Sequence, residues 1–598
     1  MKQPPFQDEQ ALARPRVDRV PGPGGSFVLR NPEPLQPFTR CIGDWLEHWA
    51  ATKPEGIFLG ERDGDGQWRT VTYRQARDRV GRIAQGLIDA RLPPGKPVVV
   101  LSDNSVEAAL LGLAAMHVGR PWCMVSSAYC RLTKDFTKIS GILYMLSPAL
   151  VYASDAKVYG PPLAAWGNKA PIFFGANAKE HRGAQAFALL EAANETPAVM
   201  DAFAAIRPGH HAKYLLTSGS TGFPKVVINT HRMLCANQQQ ISQAWPFLLR
   251  HPLVLVDWLP WSHTFGGNHN FNMVLSHGGT MYVDEGRPAP GLVERSLRNL
   301  REVQPNFYFN VPRGFDMLLP FLEQDEAAAR QVFQNMEGVF YAAAALPQSL
   351  WTRLDAVVAK VRNRPLWFTS AWGATETSPA LTTVHWRIEK AGCLGLPLPG
   401  VQLKMVPNGN KLEMRVKGPN IFPGYLDQEA LTAAAFDEEG FYKIGDAGKL
   451  VDESDPSQGV TFDGRVAEDF KLSSGTWVSV GTLRPRIVSA MAPHVADVVI
   501  TGHDKVEMGL LVFPTPQSKE LPEGALRMHV LEAMQRLAAE GGGSSQCPTL
   551  ALIQDSPPSA DRGEITDKGY INQRAVLEHR AAEVALLHQK GEARVIRL

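Results

Sequence analysis

The chain has 598 residues, too long for one ordinary hydrophobic core, so two or more domains are expected. Hydrophobic residues make up 44% and charged residues 20%, and 61 Lys+Arg against 60 Asp+Glu leave a formal net charge of +1. That balance excludes a protein whose whole surface is built for nucleic acid or an anionic membrane.

In chain order, residues 1–38 are rich in Pro and Gly and read as an extended lead-in rather than a core element. The first residues, MKQPPFQDEQALARPRV, lack the apolar run of a secretory signal. The longest apolar stretch, Ala108 to Val118, is bounded by Asp103, Glu107 and Arg120, so no membrane-spanning helix is expected. Six cysteines are scattered without metal-ligand spacing, which fits free thiols in a reducing, cytoplasmic setting.

From Phe38 onward, amphipathic stretches alternate with strand-like runs such as Pro97 to Leu101. Four later runs share one pattern, an apolar strand, a loop of small residues and a helix: 214–217, 253–259, 306–311 and 339–345. This predicts an α/β fold of sheets covered on both faces. After about Gly392 the texture turns β-rich. Residues 401–406 and 411–416 alternate with period two around Asn408-Gly409, a hairpin signal. From about Arg465 the chain has the size of a small α+β domain, with strands near 496–500 and 509–513 and a helix near 526–539. A Gly-Gly-Gly-Ser-Ser run at 541–545 reads as a connector.

The most informative segment is Tyr214-Leu-Leu-Thr-Ser-Gly-Ser-Thr-Gly-Phe-Pro-Lys. A strand enters a loop of small residues, Thr217, Ser218, Gly219, Ser220, Thr221 and Gly222, and leaves through Lys225 into a second strand. Glycines allow close backbone approach to a bulky anion, and hydroxyl and amide donors suit phosphate oxygens. Composition alone would equally describe a Ser/Gly-rich surface loop. The Lys spacing excludes a GxxxxGK[ST] P-loop, and no GxSxG nucleophile elbow is present there.

The segment TSGSTGFPK resembles the signature of the adenylate-forming superfamily, which includes acyl-CoA synthetases, luciferases and peptide-synthetase adenylation domains. One departure is Val226, where that family usually has Gly. Further matches follow in register. Trp372-Gly373-Ala374-Thr375-Glu376 resembles the aromatic-Gly-x-Thr-Glu segment, which implies Trp372 on adenine, Thr375 on the α-phosphate and Glu376 on Mg²⁺. Tyr442 to Asp446 resembles the ribose-binding segment, and Phe462 to Arg465 resembles the Gly-Arg before an inter-domain hinge, with Arg465 also on the ribose. His263, in Trp258-Leu-Pro-Trp-Ser-His-Thr-Phe-Gly-Gly, matches a position beside the acyl carboxylate. Lys568 and Lys471 match a mobile catalytic lysine and a lysine that contacts the adenylate. Where that family often has Asp or Lys at the hinge, this chain has Ala467, so Glu468, Asp469 or another position takes that role.

The resemblance implies a large domain over 39–465, a small mobile C-terminal domain over 466–598, and an AMP-forming acid–CoA ligase that uses ATP, Mg²⁺ and coenzyme A. Segments 227–238, 259–270 and 470–479 look most like bacterial feruloyl-CoA synthases, which implies an aromatic, hydroxycinnamic acid as substrate. A flat acid wants an aromatic slot with polar groups at its far end, and Phe265, His269, Asn270 and Phe307 are its candidates. The alternatives are a ligase for benzoate or a fatty acid, transfer to a carrier-protein thiol, and a nucleotide-binding homologue without catalysis. Oligomeric state is not legible.

Overall fold

A computed structural model describes residues 11–131, 135–167, 169–217, 224–466, 468–541, 543–559, 562–565 and 571–598. Among them, eleven strands form one mixed sheet, seven a second and four a third; a further four-stranded sheet and a two-stranded ribbon belong to the C-terminal part.

The seven-stranded sheet runs Lys225–Thr230, His211–Thr217, Trp122–Val125, Val98–Leu101, Leu150–Asp155, Ile172–Ala176, Gln185–Ala186. Its central strands are parallel and buried on both faces, as their continuous apolar runs require. The apolar stretch around Ala108 is the helix Val106–His117, buried along nearly its whole length. Among the described residues no helix is long and apolar enough to cross a membrane.

In the eleven-stranded sheet, Phe307–Asn310, Gly338–Tyr341 and Trp367–Gly373 are parallel neighbours. The hairpin expected at Asn408-Gly409 forms between Gln402–Asn408 and Lys411–Lys417, with Gly409 at φ +62°. Residues 1–38 are not merely a lead-in. Asp18–Pro21 and Phe27–Arg30 pair with each other, and the second strand extends the sheet beside Gln402–Asn408. Alternation in Phe27-Val-Leu-Arg buries Phe27 and Leu29 in the main core, a signal too short to stand out among the surrounding prolines and glycines.

Beyond the hinge, Val495–Thr501, Gly509–Pro514, Leu550–Ile553 and Ile596–Arg597 form the last sheet, backed by helix Ala525–Ala539. Its buried residues cluster only with one another, so this part has a core of its own.

Candidate active site

Strand His211–Thr217 pairs antiparallel with Lys225–Thr230, and the register sets Thr217 opposite Lys225. The two residues thus frame the Gly/Ser loop, whose Ser218, Gly219, Ser220, Thr221 and Gly222 lie outside the described residues. Thr217 Oγ1 is buried and finds no hydrogen-bond partner among the described residues. Lys225 Nζ donates to the Tyr425 hydroxyl at 3.5 Å and lies 4.6 Å from the centre of that ring. The hydroxyl in turn donates to Glu376 Oε1 at 3.0 Å. A backbone bridge between Tyr425 and Val227 fixes the tyrosine beside this strand.

Glu376 is buried on the short turn Thr375–Thr377 that follows strand Trp367–Gly373. A Cβ at Gly373 would meet the Pro379 carbonyl oxygen at 1.7 Å, so only glycine lets the chain fold back there. Buried amides hold the turn: Asn229 Nδ2 donates to the Thr375 carbonyl at 3.2 Å, and Asn420 Nδ2 to that of Thr377 at 2.8 Å. No three His, Cys, Asp or Glu among the described residues group to hold a metal ion alone. Glu376, a single buried carboxylate linked through Tyr425 to Lys225, fits a Mg²⁺ ion that takes its other ligands from a bound anion and water.

On strand Trp367–Gly373, four residues before Glu376, lies Trp372. Its indole N–H donates to Asp446 Oδ2 at 2.7 Å. Asp446 faces Arg465 across the ladder between Tyr442–Leu450 and Val460–Arg465. Its Oδ1 lies 3.5 Å from Arg465 Nε, yet is buried without a hydrogen bond among the described residues. Burial pushes the Asp446 carboxyl above its usual range, against the opposing pull of Arg465 and the Trp372 N–H. An acceptor kept dry and unsatisfied is costly in a folded chain, and a hydroxyl donor from a ligand relieves it.

The acyl-side candidates other than Phe307 lie on one segment, 263–270. Residues Phe265–Asn270 form a π-helical turn, a widened geometry often found at functional sites. It is pressed against loop 259–261, where a Cβ at Gly266 or Gly267 would meet the Leu259 or Trp261 carbonyl at 2.3 Å. His263 is half-buried, its Nδ1 accepting from the Phe265 N–H at 3.2 Å. Phe265, His269 and Phe307 join one aromatic cluster: His269 lies 4.9 Å from Phe340, 5.5 Å from Phe309 and 5.9 Å from Phe265. Phe307 packs deeper, 4.8 Å from Phe309 and 6.0 Å from Trp245. Asn270 does not present the open polar group expected of it. Its Nδ2 donates to Asp257 Oδ2 and its Oδ1 pairs with His269 Nδ1, both at 3.0 Å. With Oδ1 as acceptor, the His269 proton sits on Nδ1 and leaves Nε2 as the ring's acceptor. Burial lowers His269 to about 4 and raises Asp257 to about 7.

Two buried amides tie this segment to the nucleotide side. Asn268 Nδ2 donates to Thr264 Oγ1 at 3.1 Å and to Asn229 Oδ1 at 2.6 Å, and Asn229 holds the Thr375 turn. Beside them Lys213 is fully buried, donating to the Gly267 carbonyl at 2.7 Å and Asn272 Oδ1 at 3.1 Å. Burial without a carboxylate partner lowers it to about 7.

A family profile described as AMP-binding enzyme matches residues 46–426, and one described as AMP-binding enzyme C-terminal domain matches 470–592. The chain belongs to the AMP-binding enzyme family. It is 25% identical to a carboxylic acid reductase of Mycobacterium marinum over 83% of this chain, and it spans 45% of the length of that relative. It is 24% identical to the long-chain-fatty-acid–CoA ligase FadD15 of Mycobacterium bovis, over 76% of this chain and 79% of the ligase. Among solved structures, ATP-bound MatB from Rhodopseudomonas palustris shares the fold, with TM-score 0.68 and 21% identity over 91% of this chain and 99% of MatB.

Against that family frame, Lys568 and Ala467 lie outside the described residues. Lys471 is exposed on the short strand Phe470–Lys471, its ammonium 5.0 Å from the Trp477 ring centre. Of the two acidic hinge candidates, Asp469 is the one engaged. It pairs with Lys411 and accepts from the Val480 N–H at 3.1 Å, while Lys411 also donates to Ser479 Oγ at 2.8 Å. Glu468 is held above its usual range by burial. Sequence reading passed over Tyr425, Asn229, Asn268 and Asp257 as site residues. Pro423-Gly424 before Tyr425 is the local signal of a turn there; for the others no short pattern exists.

Proposed function

We propose that this chain activates a carboxylic acid with ATP as an acyl-adenylate and transfers the acyl group to the thiol of coenzyme A, the acid being a hydroxycinnamate such as ferulate. The observation that carries the nucleotide half is Asp446: buried, bound on one oxygen by Trp372 and left on the other with the Arg465 ion pair but no hydrogen bond among the described residues, at a position suited to a ribose hydroxyl. Membership of the AMP-binding enzyme family and similarity to a CoA ligase support the same reading.

In this mechanism Trp372 and Arg465 flank the nucleoside, and Thr217, Ser218, Gly219, Ser220, Thr221, Gly222 and Lys225 cradle the phosphates, with Thr375 at the α-phosphate. Glu376 would hold Mg²⁺, which when bound neutralises charge on the phosphate oxygens. Two anions must meet as the carboxylate oxygen attacks the α-phosphorus and the bond to pyrophosphate breaks, so positive charge and positioning dominate. Lys568, from a mobile domain over 466–598, supplies charge in this step, with Lys471 beside the adenylate. His263 lies at the acyl carboxylate. The thiol sulfur then attacks the acyl carbonyl, AMP leaves, and rotation about the hinge clears Lys568 from the thiol's path.

For the acid, the support is His269. A neutral ring with Nε2 as acceptor, set among Phe265, Phe309 and Phe340, suits the phenolic hydroxyl of a flat aromatic acid. Six free cysteines, five of them buried, fit a reducing cytoplasm. A second reading, transfer to a carrier-protein thiol, draws on the similarity to a carboxylic acid reductase more than twice the matched length.

The test follows AMP and thioester formation by the purified protein with ATP, Mg²⁺ and an acid panel, with and without coenzyme A, beside Lys568→Ala. Feruloyl thioester formed only with coenzyme A, and loss of adenylation in the variant, are expected. Preference for a fatty acid would discard the substrate, and adenylate that never passes to coenzyme A would favour the carrier protein.

A further inference from the structure

Tyr425 stands between two opposite charges of the site and touches both.

Lys225 and Glu376 are an ammonium and a carboxylate within reach of one tyrosine, yet they form no direct ion pair. Lys225 Nζ donates to the Tyr425 hydroxyl at 3.5 Å and lies 4.6 Å from the ring centre, and the same hydroxyl donates to Glu376 Oε1 at 3.0 Å. Tyr425 is 6% exposed and fixed on three sides. Its backbone bridges Val227, its N–H donates to Thr432 Oγ1 at 2.9 Å, and its ring packs edge-on to Phe422 at 4.9 Å. Tyr442 also hydrogen-bonds its hydroxyl, and begins the strand Tyr442–Leu450 that carries Asp446.

Two unlike charges this close would collapse into an ion pair if nothing stood between them, since attraction rises steeply in a dry site. Such a pair would cost the site twice, for the ammonium would be lost to a phosphate and the carboxylate to a cation. We propose that Tyr425 is a positioning residue that spaces Lys225 from Glu376, occupying Oε1 and leaving Oε2 and the ammonium for a metal-bound triphosphate. This rests on the nucleotide reading above. It places the tyrosine's direct contacts at the metal–triphosphate end, since Trp372 and Asp446 hydrogen-bond each other rather than Tyr425 and Tyr442 keeps its own place in the strand ladder.

The experiment is calorimetric binding of AMP, and of ATP across a Mg²⁺ titration, to wild type, Tyr425→Phe and Tyr425→Leu, without acid. Phe keeps the ring and loses the hydroxyl; Leu loses both. Removing a hydrogen bond to a charged group predicts that Phe raises the Mg²⁺ needed for half-maximal ATP binding by about tenfold, and Leu by more. AMP affinity is expected to stay within about twofold in both, one hydrogen bond's worth or less. If Leu does not fold, the Phe variant alone decides, as it keeps the packing. Parallel loss of AMP and ATP, or no change in the Mg²⁺ requirement, overturns the inference while leaving the nucleotide reading intact. Failure of wild type to bind either nucleotide overturns both.

Discussion

The two halves of the site are built in opposite ways. On the nucleotide side, polar atoms stand buried and unsatisfied: Thr217 Oγ1 and Asp446 Oδ1 have no hydrogen-bond partner among the described residues. On the acyl side, Asn268 Oδ1 and Trp245 Nε1 are also unsatisfied among the described residues, but Asp257, Asn270 and His269 are paired in one chain of hydrogen bonds inside an aromatic shell. Under the proposed function, the first half keeps an acceptor for the nucleotide, and the second fixes its shape first and offers the acid one group, His269.

The largest expected effect breaks the nucleotide half. Asp446→Ala removes the open acceptor and leaves the Trp372 N–H without its partner, and should weaken both ATP and AMP about a hundredfold. The order of acids in a substrate panel should not change, which equilibrium binding and the panel read separately. Trp372→Phe keeps an aromatic face and loses only the N–H that anchors Asp446, so nucleotide affinity should fall about tenfold. Equal loss in the two variants would show that Asp446 acts only when the Trp372 N–H anchors it, and no loss in Trp372→Phe would show that the anchor is dispensable.

His269→Phe is the reciprocal change. It keeps the aromatic packing and deletes the acceptor, so discrimination of ferulate from its analogue without the phenolic hydroxyl should drop about tenfold in kcat/KM. AMP affinity should be unaltered. The smallest effect is on stability. Asp257 is raised from 3.8 to about 7, so the folded state favours its protonated form. Its contribution is complete below the unfolded value and is lost as pH rises from about 4 to the folded value. Asp257→Asn cannot ionise, so the melting temperature of wild type should fall relative to the variant between about pH 4 and 7 and run parallel above it. A gap that instead widens above that window would contradict the assignment.

The same contrast explains what the sequence made legible. Thr217, Lys225, Trp372, Thr375, Glu376, Asp446 and Arg465 sit in short contiguous segments within or beside strands, where a few neighbours set the geometry. The structure gathers Lys225 near Glu376 through Tyr425, and Trp372, Asp446 and Arg465 together. The acyl wall is different, for Trp245, Phe265, His269, Phe309 and Phe340 come from four elements and meet only through packing. Asn229 and Asn268 are legible as asparagines but not as a bridge, because a hydrogen bond across 39 residues leaves no periodic trace. Phe27–Arg30 was hidden for a related reason: a four-residue strand gains its stability from pairing with residues nearly 400 positions away.

The most direct measurement is exchange of labelled pyrophosphate into ATP by the purified chain with Mg²⁺, in the presence and absence of ferulate and without coenzyme A. Acid-dependent exchange that vanishes in Asp446→Ala is the result expected of an acyl-adenylate formed in this site. Exchange with no acid, or none with any acid, would contradict adenylation as the reaction of this chain.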